Sequence, residues 1–136
     1  MRDIMHNRDT GKLGEAIAVA YLRESGFEIL KTNFQSRIGE VDIIARRPGR
    51  KGELCVHFIE VKYRMSDRFG LGREAVGHAK QKKIHQVAQG WLVANGMWQN
   101  VDISFDVIDI MAQSRHTSGA SMEGVGREVE HLIGCF

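Results

Sequence analysis

The sequence predicts an α/β fold in which a mixed β-sheet carries a helix on each side. Three observations support this prediction: a helical pattern comes first, three strand-like segments follow it, and a second helical pattern precedes the last strand-like segments. Helices and strands in this order form a sheet with both faces covered. The 136 residues, 43% of them hydrophobic, are enough for one ordinary core, so we expect a single domain over 1–136.

The individual elements are predicted from periodicity and from the residues that interrupt it. The first helix is expected to begin at Thr10 or Gly11, where apolar residues start to recur at helical spacing, and to end before Gly26. A second helix is expected from about Arg73 to Ala94. Apolar stretches rich in β-branched residues predict strands at 27–34, 38–45, 54–64, 101–110 and 128–136.

The connections are predicted from composition. Residues 46–52 hold the only proline and two glycines, so we expect a turn there. The strand that follows, 54–64, is apolar on both faces, which is typical of a central strand. Residues 112–126 are rich in Ser, Gly and other polar residues, and we expect a flexible loop rather than a second domain.

Cysteine and histidine usage argues against a fold stapled by metal or disulfides. Cys55 and Cys135 have neither CxxC nor Cys/His spacing, and the six histidines include no HxH or HxxxH pair, so we expect no zinc cluster. The longest apolar run, 16–22, is far shorter than the roughly 20 residues of a bilayer span, and no secretory signal is recognisable. We therefore expect a cytoplasmic protein that does not contact membranes.

The net charge of +2 conceals a basic block in the middle of the chain. Residues 31–83 hold thirteen Lys or Arg against six Asp or Glu, whereas residues 84–136 hold two against six. Clustered cations gain free energy from counterion release on a phosphate backbone, so the block favours a nucleic-acid partner. The alternative is a solvated surface without such a partner.

Four charged residues are expected to converge on one face of the sheet. Residues two apart on a strand share a face, which groups Glu40 with Asp42 and Glu60 with Lys62. Consecutive strands joined by a short turn commonly pair, so the two groups would meet at one end of the sheet. Carboxylates inside a sheet need a cation or partner to offset their desolvation. The sequence therefore predicts a site for a divalent cation.

The residue types in this group match metal-assisted phosphodiester hydrolysis. Carboxylate oxygens are ligands that Mg²⁺ or Mn²⁺ accepts. The reaction also needs an activated water and a positive group beside the developing charge. Asp42, Glu60 and Lys62 supply these types, with Glu40 as an accessory. The alternative for Glu60 and Lys62 is a structural ion pair at a strand edge.

Two further charged residues, Glu15 and Lys80, fall on apolar rows of the two predicted helices. Each side chain either packs its apolar stem on the core and keeps its charged end in solvent, or belongs to the predicted cation site. For Glu15 we favour the site, as an extra carboxylate that holds metal or water. For Lys80 both interpretations stay open.

Several cations of the basic block are candidates for contacts with a phosphate backbone. The alternative, at least for the two lysines of the second helix, is a solvated helix face. The candidate nucleic-acid-binding residues are Arg64, Arg68, Arg73, Lys82 and Lys83.

At these residues the sequence resembles a known family. The segments GKLGEAIAVAYLRESGFEIL, IGEVDIIA, HFIEVKYR, FGLGREAV, FDVIDI and VEHLIGCF resemble the YraN family of bacterial proteins in order and spacing. That family is similar to the restriction-endonuclease-like PD-(D/E)xK fold and to archaeal Holliday junction resolvases. The resemblance implies a nuclease core with Glu15 on the first helix, Asp42 on the second strand, and Glu60 and Lys62 on the third.

The leading hypothesis is thus a Mg²⁺- or Mn²⁺-dependent endonuclease for structured or branched DNA. Asp42, Glu60 and the Val61 carbonyl would bind the metal, and Glu15 would complete the cage directly or through water. The alternative is a nucleic-acid-binding module on a nuclease-like fold, with hydrolysis weak, conditional or lost. A third hypothesis is an interaction protein that docks another subunit through its acidic last third. A homodimer is expected by analogy with the resolvases.

Overall fold

The computed structural model describes residues 2–64, 76–111 and 128–136, with side chains from residue 11 onward. Within these residues the chain forms two helices and five strands. The helices are α1 (Arg2–Glu24) and α2 (His78–Ala94). The strands are β1 (Glu28–Gln35), β2 (Glu40–Pro48), β3 (Leu54–Arg64), β4 (Asp102–Met111) and β5 (Glu128–Leu132).

The five strands form one mixed sheet in the order β1-β2-β3-β4-β5. The pairs β1/β2, β2/β3 and β4/β5 are antiparallel, whereas β3 and β4, which α2 separates in sequence, are parallel. The strand β3 is central, as its apolar pattern predicts, and its segment 56–60 is buried. The predicted α/β class is confirmed, and the arrangement is compatible with the restriction-endonuclease-like fold that the resemblance implies.

A helix packs on each side of the sheet, and the core is divided between the two faces. On the face covered by α1, here the α1 face, one cluster joins Ala18, Leu22, Phe27, Ile43, Ala45, Ile59, Ile108 and Ile110. On the opposite α2 face, a second cluster includes Ile44, Val56, Phe58, Ile84, Val87, Ala88, Trp91, Leu92 and Val107. Apolar side chains therefore cover most of both faces over the middle of the strands, and the polar side chains are grouped at a few positions.

The helix α1 is longer than the sequence predicts. It begins at Arg2 rather than at Thr10 or Gly11, and Gly11 lies inside it. A glycine in a helix interior costs only about 1 kcal/mol relative to alanine, so it does not have to end the helix. The space beside the Gly11 Cα is open, and no packing contact stops the helix there.

The turn between β2 and β3 is shorter than the predicted span 46–52. Arg46 and Arg47 continue the β2 ladder opposite Val56 and Cys55, and the strand ends at Pro48. A proline is tolerated at the end of a strand because the ladder needs no N–H donor there. The turn itself is closed by the Gly49 N–H, which donates to the Glu53 carbonyl at 2.6 Å.

Other boundaries differ by a few residues. The helix α2 begins at His78, so Val76 is buried ahead of the helix rather than within it. The strand β5 ends at Leu132 instead of running to the terminus. The predicted helix start at Arg73 and the expected flexible loop at 112–126 lie outside the described residues. In the described part of the chain, neither helix has the length and hydropathy that crossing a bilayer would require.

Candidate functional site

Four side chains meet on the α2 face where β2 begins and β3 nears its end. They are Asp42 of β2, Glu60 and Lys62 of β3, and Lys80 of α2, and we call them the carboxylate cluster. The interruption of apolar periodicity at these positions locates the cluster, because each lies on a strand or helix whose other inward residues belong to the core. The sequence prediction that Asp42 and the Glu60/Lys62 pair converge therefore matches the geometry.

Asp42 is anchored by the neighbouring strand. Its Oδ2 accepts a hydrogen bond from the Val61 backbone N–H at 2.8 Å. Regular pairing between β2 and β3 runs from Pro48/Leu54 to Ile43/Ile59, so this hydrogen bond follows directly after the last pair of the ladder. Beyond the last backbone pair, the Asp42 carboxylate rather than a backbone carbonyl accepts the hydrogen bond from β3. This contact fixes Asp42 beside Glu60.

Glu60 is a buried carboxylate with two ammonium neighbours. The residue is only 6% exposed. Its Oε2 accepts a hydrogen bond from Lys80 Nζ and lies 3.7 Å from Lys62 Nζ. The two lysines approach from different elements, α2 and β3, and both keep part of their side chains in solvent. The buried charge of Glu60 is thereby compensated from two sides.

The electrostatic balance at Asp42 is unfavourable for its charged form. Burial and the adjacent charge of Glu60 raise the pKa of Asp42 from 3.8 to about 6. The Val61 N–H and the ammonium of Lys80 oppose this rise without cancelling it. The charged form of Asp42 is therefore disfavoured in the metal-free protein, and a cation bound beside it would favour that form.

Lys80 experiences the opposite effect. Burial alone would lower the pKa of Lys80, but the hydrogen bond and charge of Glu60, joined by the charges of Asp42 and Glu40, raise it above the usual value. The ammonium form is therefore held firmly in the cluster. The accessory role expected for Lys80 is compatible with this position, since it lies directly against a predicted metal ligand.

Glu40 lies at the rim of the cluster, where an open cavity begins. Its side chain is exposed and its Oε1 accepts a 3.4 Å hydrogen bond from Gln35. The cavity has a volume of about 400 Å³ and lies between the β1–β2 turn and α2, with Ile38, Lys80 and Lys83 among its lining residues. An extended polar ligand could thus reach the carboxylate cluster along this side of α2.

Glu15 is placed differently from the sequence prediction. Both of its carboxylate oxygens accept hydrogen bonds from Asn33 Nδ2, at 2.9 and 2.8 Å. Asn33 adopts a left-handed backbone conformation with φ of 52°, which asparagine tolerates better than most residues. The structure therefore ties Glu15 to β1 instead of bringing it together with Asp42 and Glu60, and its metal-binding role stays a prediction.

Val61 joins the cluster through its backbone. The contact that the structure provides is the N–H donated to Asp42, whereas the predicted role for Val61 is that of a carbonyl ligand. The amide group is at the right place, because it lies between Glu60 and Lys62 and beside Asp42. Its use as a metal ligand stays a prediction.

The predicted phosphate-binding residues fall into different environments. Arg64 forms a two-pronged ion pair with Asp109, with hydrogen bonds of 2.9 and 2.7 Å, so its guanidinium is engaged within the sheet. Lys82 and Lys83 are exposed on α2, and Lys83 lines the cavity beside the cluster. Arg68 and Arg73 lie outside the described residues.

The cluster can hold a divalent cation, judged from its donor set. Asp42 and Glu60 present carboxylate oxygens from two adjacent strands, and burial with the charge of Glu60 raises the pKa of Asp42. Oxygen donors suit Mg²⁺ or Mn²⁺ rather than softer metals. The residues therefore fit the cation that the resemblance implies.

A second polar cluster was missed by sequence reasoning. On the α1 face, Asp106 Oδ2 lies 2.7 Å from His57 Nδ1 and 2.7 Å from His131 Nε2. The three residues lie on three adjacent strands and are far apart in sequence, so a search for closely spaced histidines could not find them. The one available signal was His57 itself, a polar residue in the otherwise apolar first half of β3.

Fold and site together define a small α/β protein with a carboxylate–lysine cluster on one face of a mixed sheet. The family model "Uncharacterised protein family UPF0102" matches residues 14–110. The match includes β1 to β3, α2 and nearly all of β4, and with them every member of the carboxylate cluster. The chain belongs to this family, which is the one that the sequence resemblance to YraN proteins indicates.

Relatives share most of the chain. A UPF0102 protein of Syntrophus aciditrophicus is 43% identical over 104 residues, covering 76% of this chain and 77% of that protein. One from Pelobacter propionicus is 36% identical over 130 residues, covering 96% and 84%. Another, from Acetivibrio thermocellus, is 40% identical over 111 residues, covering 81% of each.

Proposed function

We propose that the protein is a cytoplasmic Mg²⁺- or Mn²⁺-dependent endonuclease that hydrolyses phosphodiester bonds in structured or branched DNA. The observation that carries the proposal is the approach of two carboxylates, Asp42 and Glu60, from adjacent strands beside Lys62. Burial, joined by the adjacent charge of Glu60, raises the pKa of Asp42, and perturbed carboxylates of this kind are common where a site binds a cation or substrate.

Each residue of the cluster has a distinct role in this proposal. Asp42 and Glu60 would hold the cation, with the Val61 carbonyl and Glu15 as further ligands, Glu15 after release from Asn33 or through water. A divalent ion bound there supplies electrophilic polarisation of the phosphate and a water of lowered pKa. Lys62, whose Nζ lies 3.7 Å from Glu60 Oε2, would orient the attacking water or balance the negative charge that develops on the phosphate.

Substrate would approach over the α2 side of the cluster. The cavity beside Glu40 is bordered by Lys83, and Lys82 is exposed on the same helix. Exposed ammonium groups can contact the phosphates of a nucleic-acid backbone, and such contacts carry no preference for base sequence. The proposal therefore assigns α2 to backbone binding and the β2–β3 strand ends to hydrolysis.

Cleavage assays with metal-stripped protein test the proposal. The substrates are a branched junction, a duplex and a single strand of the same composition, each with and without Mn²⁺. We expect Mn²⁺-dependent cleavage that favours the junction and is lost in Glu60→Gln. The matched control is Glu130→Gln, which alters an exposed glutamate of β5 and should cut normally. Absence of cleavage on all substrates, or equal cleavage by Glu60→Gln, would refute the enzyme.

A second candidate function is nucleic-acid binding without hydrolysis. It is favoured by the hydrogen bond from Lys80 to Glu60, which compensates that carboxylate without any metal. Binding of the same DNA substrates in a chelator, measured over a range of salt concentrations, separates the two functions. A pure binder keeps salt-dependent affinity that Mn²⁺ does not change, and Lys82→Gln combined with Lys83→Gln should lower the salt slope.

A further inference from the structure

The second polar cluster, on the α1 face, is built from His57 of β3, Asp106 of β4 and His131 of β5. Because β4 lies between β3 and β5, an aspartate on β4 can reach both neighbouring strands. The side chains are 6%, 0% and 5% exposed, respectively. The cluster is thus buried under α1, on the opposite face of the sheet from Asp42 and Glu60.

We infer that His57, Asp106 and His131 form a second metal site, selective for a borderline transition metal such as Zn²⁺. The contribution of each residue is one ligand atom, and the three atoms lie within 4.8 Å of one another. Two imidazole nitrogens and one carboxylate oxygen are a ligand set that zinc accepts. Mg²⁺ and Ca²⁺ prefer oxygen ligands, so the site differs in chemistry from the carboxylate cluster.

The carboxylate of Asp106 is oriented as a ligand would be. Its Oδ1 accepts hydrogen bonds from Ser104 Oγ at 2.6 Å and from the Gly134 N–H at 3.0 Å. Both histidines approach the other oxygen, Oδ2. Outer hydrogen bonds of this kind fix the direction of a metal-binding carboxylate.

The separations in the cluster are those of hydrogen bonds, and a bound ion would widen them moderately. The two imidazole nitrogens donate to Oδ2 at 2.7 Å. Bonds of about 2.0–2.1 Å at tetrahedral angles place ligand atoms about 3.3 Å apart, so coordination requires shifts of roughly half an ångström. Each histidine would then be neutral: the coordinating nitrogen would direct its lone pair toward the ion, and the other ring nitrogen would carry the proton.

Two features allow this adjustment. His131 lies on β5, a five-residue strand that, among the described strands, is at the edge of the sheet and pairs with β4 alone. His57 borders a cavity of about 510 Å³, with Arg47 and Cys55 also among its lining residues. An ion would enter from this side, past His57, and a water molecule from the cavity would serve as a fourth ligand.

Titration with Co²⁺, a spectroscopic substitute for Zn²⁺, tests the site in the full chain. After removal of metal with a chelator, one equivalent of Co²⁺ should produce the visible absorption of four-coordinate Co²⁺, and Zn²⁺ should abolish it. His57→Gln and His131→Gln keep an N–H donor for Asp106 but lose the imidazole, so each should lose the absorption. Ser104→Ala should weaken binding about 10- to 100-fold by releasing Asp106 Oδ1.

The controls separate this site from the carboxylate cluster and from a simple hydrogen-bond network. His85→Gln alters an exposed histidine of α2 and should keep the Co²⁺ absorption, and so should Glu60→Gln. A wild-type protein that gives no such absorption overturns the site, as does absorption that survives the combined His57→Gln and His131→Gln changes. If circular dichroism shows that the glutamine variants are unfolded, ¹⁵N resonances of the wild-type imidazoles decide: Zn²⁺ must shift those of His57 and His131, and unshifted resonances overturn the site.

Discussion

The two faces of the sheet hold aspartates in opposite electrostatic states, a buried one at Asp106 and a half-buried one at Asp42. On the α1 face, Asp106 accepts hydrogen bonds from four groups, and the pKa of its carboxyl is held well below the usual range although burial opposes this. On the α2 face, Asp42 accepts one backbone hydrogen bond, faces Glu60, and has a pKa raised to about 6. At Asp106 the hydrogen-bond donors outweigh the desolvation that burial causes, so the charged carboxylate is favoured. At Asp42 they do not, so the charged carboxylate is disfavoured. The comparison separates a carboxylate whose charged form is favoured by four hydrogen-bond donors from one whose charged form is disfavoured by burial and Glu60.

Removal of the charge at Asp106 should have the largest effect. Asp106→Asn replaces the charged acceptor of four hydrogen bonds by a neutral amide, and hydrogen bonds to charged groups contribute about 1.5–3 kcal/mol each, so we expect a loss of about 3 kcal/mol. Urea denaturation of the metal-free protein measures the loss. Asp102→Asn, at an exposed position of β4, should change stability by less than about 0.5 kcal/mol. A loss below about 1 kcal/mol for Asp106→Asn would show that the α1-face cluster is not stabilising.

The matching change on the α2 face should act in the opposite direction. Asp42→Asn removes a carboxylate that burial and Glu60 disfavour, so the metal-free protein should gain about 2 kcal/mol near pH 7. The amide still offers an oxygen to the Val61 N–H. Urea denaturation in the presence of a chelator measures the gain. A destabilised Asp42→Asn variant would mean that the charged form of Asp42 is favoured in the metal-free protein.

The pH dependence of that gain has a defined sign. The pKa of Asp42 in the folded protein is about 6, whereas the ordinary pKa of an aspartate carboxyl is 3.8. Between these values the folded state binds more protons than the unfolded state, so the contribution of Asp42 to stability is present below the lower value and lost as pH rises through the higher one. The advantage of Asp42→Asn over the wild type should therefore shrink as pH falls from about 7 to 4.

Lys80 should have a smaller effect that depends on metal. Lys80→Met removes the hydrogen bond to Glu60, and because the lysine side chain is 45% exposed we expect a loss of only about 1 kcal/mol without metal. The same change removes a competing cation, so Mg²⁺ affinity, measured by calorimetry, should rise about tenfold. Lys82→Met, an exposed control on α2, should alter neither quantity. Unchanged Mg²⁺ affinity in Lys80→Met would indicate that the ammonium and the metal occupy different places.

The exposed ion pair between Arg46 and Glu28 should have the smallest effect. These side chains are 36% and 61% exposed, and their contact of 2.7 Å lies at the edge of the sheet. A double-mutant cycle with Arg46→Gln and Glu28→Gln should give a coupling energy of about 0.2–1 kcal/mol, reduced by salt. A coupling energy as large as the stability lost in Asp106→Asn would contradict the expectation that exposed charges contribute less to stability than buried ones in this sheet.

The sequence carried more information about the α2 face than about the α1 face. Asp42, Glu60 and Lys62 were predictable because strand alternation and short turns are local rules, and all three lie on consecutive strands. The partnership of His57 with His131 was not predictable, since it depends on the order of β3, β4 and β5 in the sheet, which no local pattern encodes.

The misplaced boundaries and Glu15 have a similar explanation. Gly11 was a local signal for the start of the helix, but the low cost of one helical glycine lets α1 begin earlier. Arg46 and Arg47 were assigned to the turn, but pairing of β2 with β3 keeps them in the strand, which ends at Pro48. Glu15 was placed on the correct side of α1 to face the sheet, yet a helical row cannot tell which strand the side chain meets. Asn33, in its unusual backbone conformation, is the partner that the pattern could not show.

Cleavage of a branched DNA junction by the wild type and Asp42→Asn, compared in Mn²⁺ at about pH 8, is the most direct test of a hydrolytic site on the α2 face. Because the asparagine variant should be more stable than the wild type, loss of its activity would not reflect unfolding. We expect the wild type to cleave and the variant to be slower by at least about 100-fold. Equal rates for the two proteins would contradict the assignment of Asp42 to a metal-dependent active site.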